Sequence, residues 1–271
     1  MNTIDVSVII STKNEEKNIA NCLQSVKDQT FPRKRIEIIV VDNHSTDKTA
    51  ETAGQFTDNV YVHGPERSAQ RNFGIEKGVG NYILFVDADM ILSENVILEC
   101  FEKCENEGHV ALYIPEQVIG KGFWIKVRNF ERSFYNATCI DGVRFVNRKQ
   151  FLETGGFDLS LIAAEDWDLD RRIAQSGTKG IIESPIYHNE GKFNLGTYLK
   201  KKAFYSGILN KYADKWGKND PIVKKQLGIW YRFFMVFIEK GKWVRLIRHP
   251  FLAMGVYFLR VMVGIQYMVK K

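Results

Sequence analysis

Four short apolar runs rich in β-branched residues, Val6–Ser11, Ile36–Val41, Asn59–His63 and Tyr82–Val86, alternate with stretches of helical periodicity, and no other feature narrows the choice of fold so far. Runs of that length and make-up suit strands buried on both faces of a parallel sheet. Between them, Ile19, Cys22, Leu23 and Val26 recur at helical spacing, and Ser45 or Thr46 is placed to cap a helix running toward Phe56. A third helix is expected over Ser68–Lys77, and Ser93 is placed to cap a fourth reaching Glu107. The alternation predicts an α/β fold, a mostly parallel sheet flanked by helices and wound with right-handed crossovers. Ligands of such sheets bind beyond the carboxyl ends of the strands. Three of those ends carry STKNEE (Ser11–Glu16), DNHSTD (Asp42–Asp47) and DADM (Asp87–Met90), so polar groups distant in sequence converge on one edge.

The chain has 271 residues, 45% of them hydrophobic, enough for one large domain or a domain with an appendage. Its net charge of +6 suggests an anionic partner: nucleic acid, a phosphorylated substrate or an acidic lipid surface. No nucleic-acid recognition motif accompanies the charge, so nucleic acid is not expected. Cys22, Cys100, Cys104 and Cys139 have neither zinc-site nor disulfide-framework spacing and read as reduced, packed thiols, which implies a reducing, cytoplasmic compartment. The opening MNTIDVSVIIS reads as a strand, not a signal peptide.

Asp87 and Asp89 stand one residue apart after a buried strand, and in extended or turn backbone residues i and i+2 face the same side. Two such carboxylates repel unless one is protonated or both share a cation, and oxygen ligands of this kind suit Mg²⁺ or Mn²⁺ held together with substrate phosphates. The alternative is that Asp87 caps a turn and Asp89 is merely solvated. Neither G-x-G-x-x-G nor a P-loop is present to cradle a phosphate, so a metal between Asp87 and Asp89 would take that task. Further on, GVRFVNRKQFLETGGFD (Gly142–Asp158) reads as a strand, a short helix and a Gly-Gly turn, and AEDWDLDRRIAQSG as a helix ending at Gly177. Glu165, Asp166 and Asp168 crowd the start of that helix, where coupled titration would raise proton affinity; the alternative is a purely electrostatic preference of acids for a helix N-terminus.

These residues resemble the nucleotide-sugar-dependent glycosyltransferases of family 2, which have the GT-A fold and invert the anomeric carbon. VSVIISTKNEEKNIANCLQSV resembles that family's P-x-Y-N-E-E segment, IEIIVVDNHSTDKT its VVDDGSTD segment, SAQRNFGIEKGVGNY its Ala-Arg-Asn helix and ILFVDADM its D-x-D segment. GGFDLSLIAAEDWDL resembles its Gly-Gly-Phe-Asp and Glu-Asp segment, and the five in order cover Val6 to His188. The resemblance implies that Ser11, Thr12, Asn14, Glu15, Asp42, Ser45, Arg71, Asp87 and Ala88 bind the nucleotide sugar, with Asp42 accepting from a base N–H. It implies Asp87, Asp89 and His188 as ligands of Mg²⁺ or Mn²⁺, Asp166 as general base beside Glu165, and Gly142 and Trp167 at the acceptor site. Ser11 and Lys13 replace the family's Pro and Tyr, and Asn43 replaces its second Asp. A phosphate acceptor is already ionised and needs no base, so Glu165 and Asp166 favour a hydroxyl on a glycan or lipid-linked glycan over a polyprenyl phosphate. A nucleotidyltransferase would need a glycine-rich loop that IISTKNEEKNI lacks; a non-catalytic membrane-surface binding protein with a degenerate fold of this type would not retain Asp87, Asp89, Glu165 and Asp166.

FWIKVRNFERSFYN (Phe123–Asn136) reads as an aromatic, basic helix, and from Tyr198 onward lysine, arginine and aromatic residues interleave with aliphatic ones. That mixture suits helices lying on a membrane surface, hence peripheral contact at the cytoplasmic face. Residues 250–269 are long enough to span a bilayer, but Arg260 near their middle costs roughly 2.5–3.5 kcal/mol there; packing against protein is the third possibility. The composition change after His188 predicts a catalytic domain over 1–190 and a helical region over 191–271.

Overall fold

Every residue of the first strand, β1 (Val6–Thr12), is buried, because it is flanked on both sides by parallel strands. The computed structural model describes residues 4–269. In chain order β1 is followed by α1 (Ile19–Lys27), β2 (Ile36–Asp42), α2 (Thr49–Gly54), β3 (Val60–Val62), α3 (Arg67–Lys77), β4 (Tyr82–Asp87) and β5 (Met90–Leu92). Next come α4 (Val96–Glu107), β6 (Ala111–Tyr113), β7 (Glu116–Lys121), α5 (Phe123–Arg132), β8 (Phe145–Asn147), α6 (Arg148–Glu153) and α7 (Glu165–Ile173). The chain continues through β9 (Lys179–Ile181), β10 (Ile186–Lys192), α8 (Leu195–Trp216), α9 (Pro221–Leu227), α10 (Val236–Ile238), α11 (Trp243–Arg248) and α12 (Pro250–Val269). The main sheet has the order β3-β2-β1-β4-β8-β6-β9. Its first four strands are parallel, β8 runs antiparallel to β4 and β6, and β9 is parallel to β6. Register sets Thr12 beside Asp42 and Ser11 beside Asp87, which brings the polar strand ends together.

Two helix starts differ from expectation. Neither Ser45 nor Thr46 caps α2: the Asp47 carboxylate accepts from the Thr49 N–H (3.0 Å) and its hydroxyl, while Ser45 turns to Asp42. Ser93 does not cap α4; its hydroxyl is buried without a partner, and Gln29 accepts from the Ile97 N–H at 3.0 Å. A side chain from the end of α1 thus serves the orphan donors at the start of α4, a cap that no local spacing reveals. Helix α7 ends at Ile173, short of Gly177.

The chain divides into two compact units: the residues up to Glu116 with Gly142–Asn189, and Gln117–Asp141 with the residues from Glu190 onward. The 1–190 boundary assigns 117–141 to the first unit, but this segment clusters with the C-terminal helices. The reason lies in its apolar residues: Val127, Phe130 and Phe134 join Tyr231, Val236, Phe237, Val256 and Leu259 in one core. The first unit's core runs through Val6, Val8, Ile10, Leu23, Ile38, Leu84 and Phe145. Among the described residues no helix is long and apolar enough to cross a membrane. Arg260 is buried in the second unit, where it donates to Glu131 (2.9 Å), to the Tyr135 hydroxyl and to the Arg232 carbonyl.

Candidate active site

Helix α3 organises the rim of the sheet through three consecutive side chains. Gln70 Nε2 donates to the Thr12 carbonyl (2.9 Å) and the Val41 carbonyl (2.6 Å), clamping the ends of β1 and β2. Asn72 exchanges two 2.9 Å hydrogen bonds with the Phe157 backbone, fixing the Gly-Gly-Phe-Asp turn. Arg71, between them, is 2% exposed and reaches Asp87 at 3.0 Å and Asp166 at 2.8 Å. The rings of Phe85 and Phe157 lie 5.6 and 5.2 Å from its guanidinium. Gly74 lets α3 lie close on β1, since a Cβ there would meet Ile9 Cγ2 at 2.5 Å.

Arg67, one turn before Arg71 on the same helix face, pairs with Glu165 and lies 3.6 Å from Asp87. Two guanidiniums therefore hold three carboxylates. Burial alone would push the Asp87 carboxyl up, but Arg71, then Arg67 and Arg144, hold it well below the usual range. Asp166 feels the same balance and is also lowered. Glu165 goes the other way, raised by burial and by the neighbouring Asp166 charge. Raised proton affinity thus holds for Glu165 and not for Asp166. Asp168 faces away from the network: it is fully buried and paired with Arg172 at 2.7 Å. Asp166 remains 39% exposed, and Gly142 sits against it, since a Cβ there would lie 2.8 Å from Asp166 Cβ. Ala164 enters α7 in the left-handed region (φ 63°), a conformation that costs a non-glycine residue about 1 kcal/mol and aims the two acids that follow. Trp167 is half-buried on α7.

The i, i+2 spacing predicts Asp87 and Asp89 addressing one point, but they take different partners. The strand ends at Asp87, Ala88 and Asp89 form a turn, and Ala88 is 2% exposed, with its side chain packed inside. Asp87 goes to the arginines and to Ser11 Oγ (3.2 Å), whereas Asp89 turns to an imidazole. Asp89 Oδ2 lies 3.1 Å from His188 Nε2, and His188 Nδ1 lies 3.0 Å from Glu116, which in turn accepts from Arg144 at 2.9 Å. Strand β10 delivers the imidazole by pairing His188 with Met90 of β5. Burial disfavours the imidazolium, but hydrogen bonds to Asp89 and Glu116 overcome it and raise His188 to about 10. Among the described residues no three His, Cys, Asp or Glu side chains form a complete metal cage. With a cation in place of the Nε2 proton that His188 shares with Asp89, the donor set would fit Mg²⁺ or Mn²⁺: one carboxylate and one imidazole oriented through its other nitrogen by a second carboxylate.

On the far side of β1, Asp42 accepts from the Ser45 N–H (2.8 Å) and from its hydroxyl. Asp42 is 2% exposed and so orders its own turn; a base N–H would need a remaining lone pair. The Asn14 N–H donates to Ser45 Oγ (2.8 Å) and Asn14 Oδ1 accepts from the Thr46 N–H (2.8 Å), so these two side chains lock the strand-end loops together. Thr12 Oγ1 is buried without a partner, a polar atom left over at the strand end. Glu15 is half-buried and raised, by burial first, and lies within electrostatic reach of Asp89 and His188. Arg67, Glu116 and Arg144 were not foreseen from sequence. The i, i+4 spacing of Arg67 and Arg71 was a usable signal; Glu116 and Arg144 carry none.

The profile of the family described as Glycosyl transferase family 2 matches residues 7–159. Glycosyltransferase AglE of Haloferax volcanii is 43% identical over 91 residues, 31% of this chain and 30% of that one. Beta-monoglucosyldiacylglycerol synthase of Nostoc sp. is 26% identical over 253 residues, 82% of this chain and 52% of that one. The chain therefore spans about a third to a half of the length of these curated relatives. Among solved structures, mannosyltransferase PcManGT from Pyrobaculum calidifontis, in complex with GDP-Man and Mn²⁺, superposes with a TM-score of 0.62 at 18% identity, covering 98% of this chain and 84% of that chain. The likeness extends over both units and identifies the fold as GT-A-like, with C-terminal helices.

Proposed function

The chain belongs to glycosyl transferase family 2, and on that premise we propose that it moves a hexosyl or related sugar from a nucleotide diphosphate sugar to an acceptor hydroxyl, with inversion. The observation that carries this reading is the sharing of Arg71 between Asp87, at the end of β4, and Asp166, at the start of α7. Donor-side and acceptor-side carboxylates are fixed by one guanidinium. Thr12, Glu15 and Asp42 line the nucleoside side, with Asn14 and Ser45 holding its loops and Ser11 steadying Asp87. Asp89 and His188 would hold Mg²⁺ or Mn²⁺, which when bound neutralises the diphosphate leaving group. Asp166 takes the proton of the acceptor hydroxyl as that oxygen bonds to the anomeric carbon and the bond to the diphosphate oxygen breaks. Paired with Arg71, Asp166 is a weak base. A donor diphosphate beside Arg67 and Arg71 shares their charge, so donor binding raises the proton affinity of Asp166 at the moment the base is needed. Glu165, Trp167 and Gly142 shape the acceptor side.

A hydroxyl acceptor on a glycan or lipid-linked glycan, rather than a polyprenyl phosphate, follows from the retention of Asp166. The Nostoc relative is a beta-monoglucosyldiacylglycerol synthase, which supports a lipid setting at the cytoplasmic face of a membrane. Purified protein offered a panel of uridine- and guanosine-diphosphate sugars, with Mg²⁺ or Mn²⁺ and again with chelator, should release nucleotide from one donor in a metal-dependent way. Failure of every donor to bind or turn over sinks the proposal.

A further inference from the structure

One face of α12 is already satisfied by protein. Val256 and Leu259 belong to the second unit's core, Arg260 is tied to Glu131, and a Cβ at Gly255 would strike Val127 at 2.6 Å, so α12 lies hard against α5. The opposite face is a continuous apolar stripe. Phe251, Met254, Phe258, Val261 and Ile265 recur at alternating spacings of three and four, and each is 43% to 75% exposed. Helix α11 adds Trp243 and Ile247, four apart and also exposed, and Trp230 lies exposed upstream. A chain of this kind does not leave such a surface to water without an occupant.

Charge identifies the occupant. After Glu239 the sequence contains no Asp or Glu to its end, yet it carries seven Lys and Arg, with Lys240 and Arg248 on the described surface exposed. Lys242 and Arg260 are paired with Glu239 and Glu131, but apolar side chains, tryptophans and the exposed cations Lys240 and Arg248 in one segment complement an anionic bilayer surface. They oppose self-association, since a second copy would bring like charge against like. We propose that α11 and α12 form an in-plane anchor for an anionic lipid surface, with the Phe251–Ile265 stripe entering the acyl boundary and Lys240 and Arg248 meeting the headgroups. Arg260 stays with Glu131 and never enters lipid, so the helix lies on the membrane and does not cross it. The anchor deepens the lipid-surface part of the functional reading but is independent of the transfer chemistry.

The test is flotation of the full chain with phosphatidylcholine vesicles and with vesicles that also contain phosphatidylglycerol, with sedimentation velocity run on lipid-free protein. The expected result is a monomer that floats with the phosphatidylglycerol vesicles about tenfold more than with phosphatidylcholine alone, the difference shrinking in high salt. Phe251→Glu combined with Met254→Glu should lower binding by about tenfold or more while the circular dichroism spectrum is unchanged. Since Trp243 lies in the anchor, brominated lipid should quench tryptophan emission of the unsubstituted chain, a readout that needs no variant. Absence of vesicle binding overturns the anchor. So does a lipid-free dimer that Phe251→Glu dissociates, which would assign the stripe to a second copy.

Discussion

Each unit contains an arginine–carboxylate network, and the two differ in what surrounds them. At the sheet rim, Arg67 and Arg71 hold Asp87, Glu165 and Asp166; Arg67 and Asp166 are each 39% exposed. In the helical unit, Arg128 and Arg260 hold Glu131, with Glu190 on Arg128, and Glu131 is 4% exposed. The first network has an excess of carboxylate and an open side where a ligand can redistribute its charge. The second is sealed, further satisfied by the Tyr135 hydroxyl on Glu131 at 2.6 Å, and serves to join α12 to α5. The same side-chain chemistry is open to a ligand in one place, as the proposed mechanism requires, and a structural rivet in the other, and solvent access separates the two.

The sharpest way to break the comparison is Asp166→Asn. Transfer should fall by about 10²–10⁴-fold, as for loss of a general base, while thermal stability and donor binding measured by calorimetry stay close to wild type. Unchanged turnover would remove Asp166 from the base role. Next in size is Arg260→Met, which leaves the buried Glu131 to Arg128 alone and removes its tie to α12; chemical unfolding should show a loss of roughly 3 kcal/mol, part of it recovered when Glu131→Leu is added. An Arg260→Met loss as small as that of a surface change would mean the helical network is not a rivet.

Smaller is the effect of Glu116→Gln, which leaves Asp89 and His188 in place but weakens the hold on the imidazole. Metal affinity should drop about 10–100-fold, read by titration with Mn²⁺, with little change in folding. A further effect concerns acid. Glu131 is pushed upward by burial but brought to about 2 by Arg260, Arg128 and Lys202, against an ordinary 4.5. A depressed folded value lends stability that is complete above the ordinary value and is lost as pH falls from 4.5 toward 2. Trp124, Trp216, Trp230 and Trp243 all lie in the helical unit and report it by fluorescence. Its stability should decline over that window, and Glu131→Gln should flatten the decline; an unaltered slope would assign the acid sensitivity to other groups.

The parallel half of the sheet was legible because its strands are long enough to carry a pattern. The runs at Val6, Ile36 and Tyr82 fall within a residue of β1, β2 and β4. Strands β5, β6 and β9 have three residues each, too few for any period to register, and β10 is polar along its exposed side. Without β5 and β10 the meeting of Asp89 with His188 has no visible scaffold, although carboxylate spacing pointed to Asp89 and the resemblance to His188. The composition change after His188 leaves the segment 117–141 in the first domain, whereas its phenylalanines and valine pack with helices about a hundred residues later.

By itself the sequence determined an α/β chain with polar groups gathered at one edge of a sheet, because strand burial and helix periodicity are written locally in residue order. Only the tertiary structure decided which cation answers which carboxylate. Arg67 and Glu165 are 98 positions apart, Arg71 and Asp166 are 95, and His188 and Asp89 are 99. Periodicity does not extend over such distances; packing of α3, α7 and β10 against the sheet brings those charges within hydrogen-bonding reach.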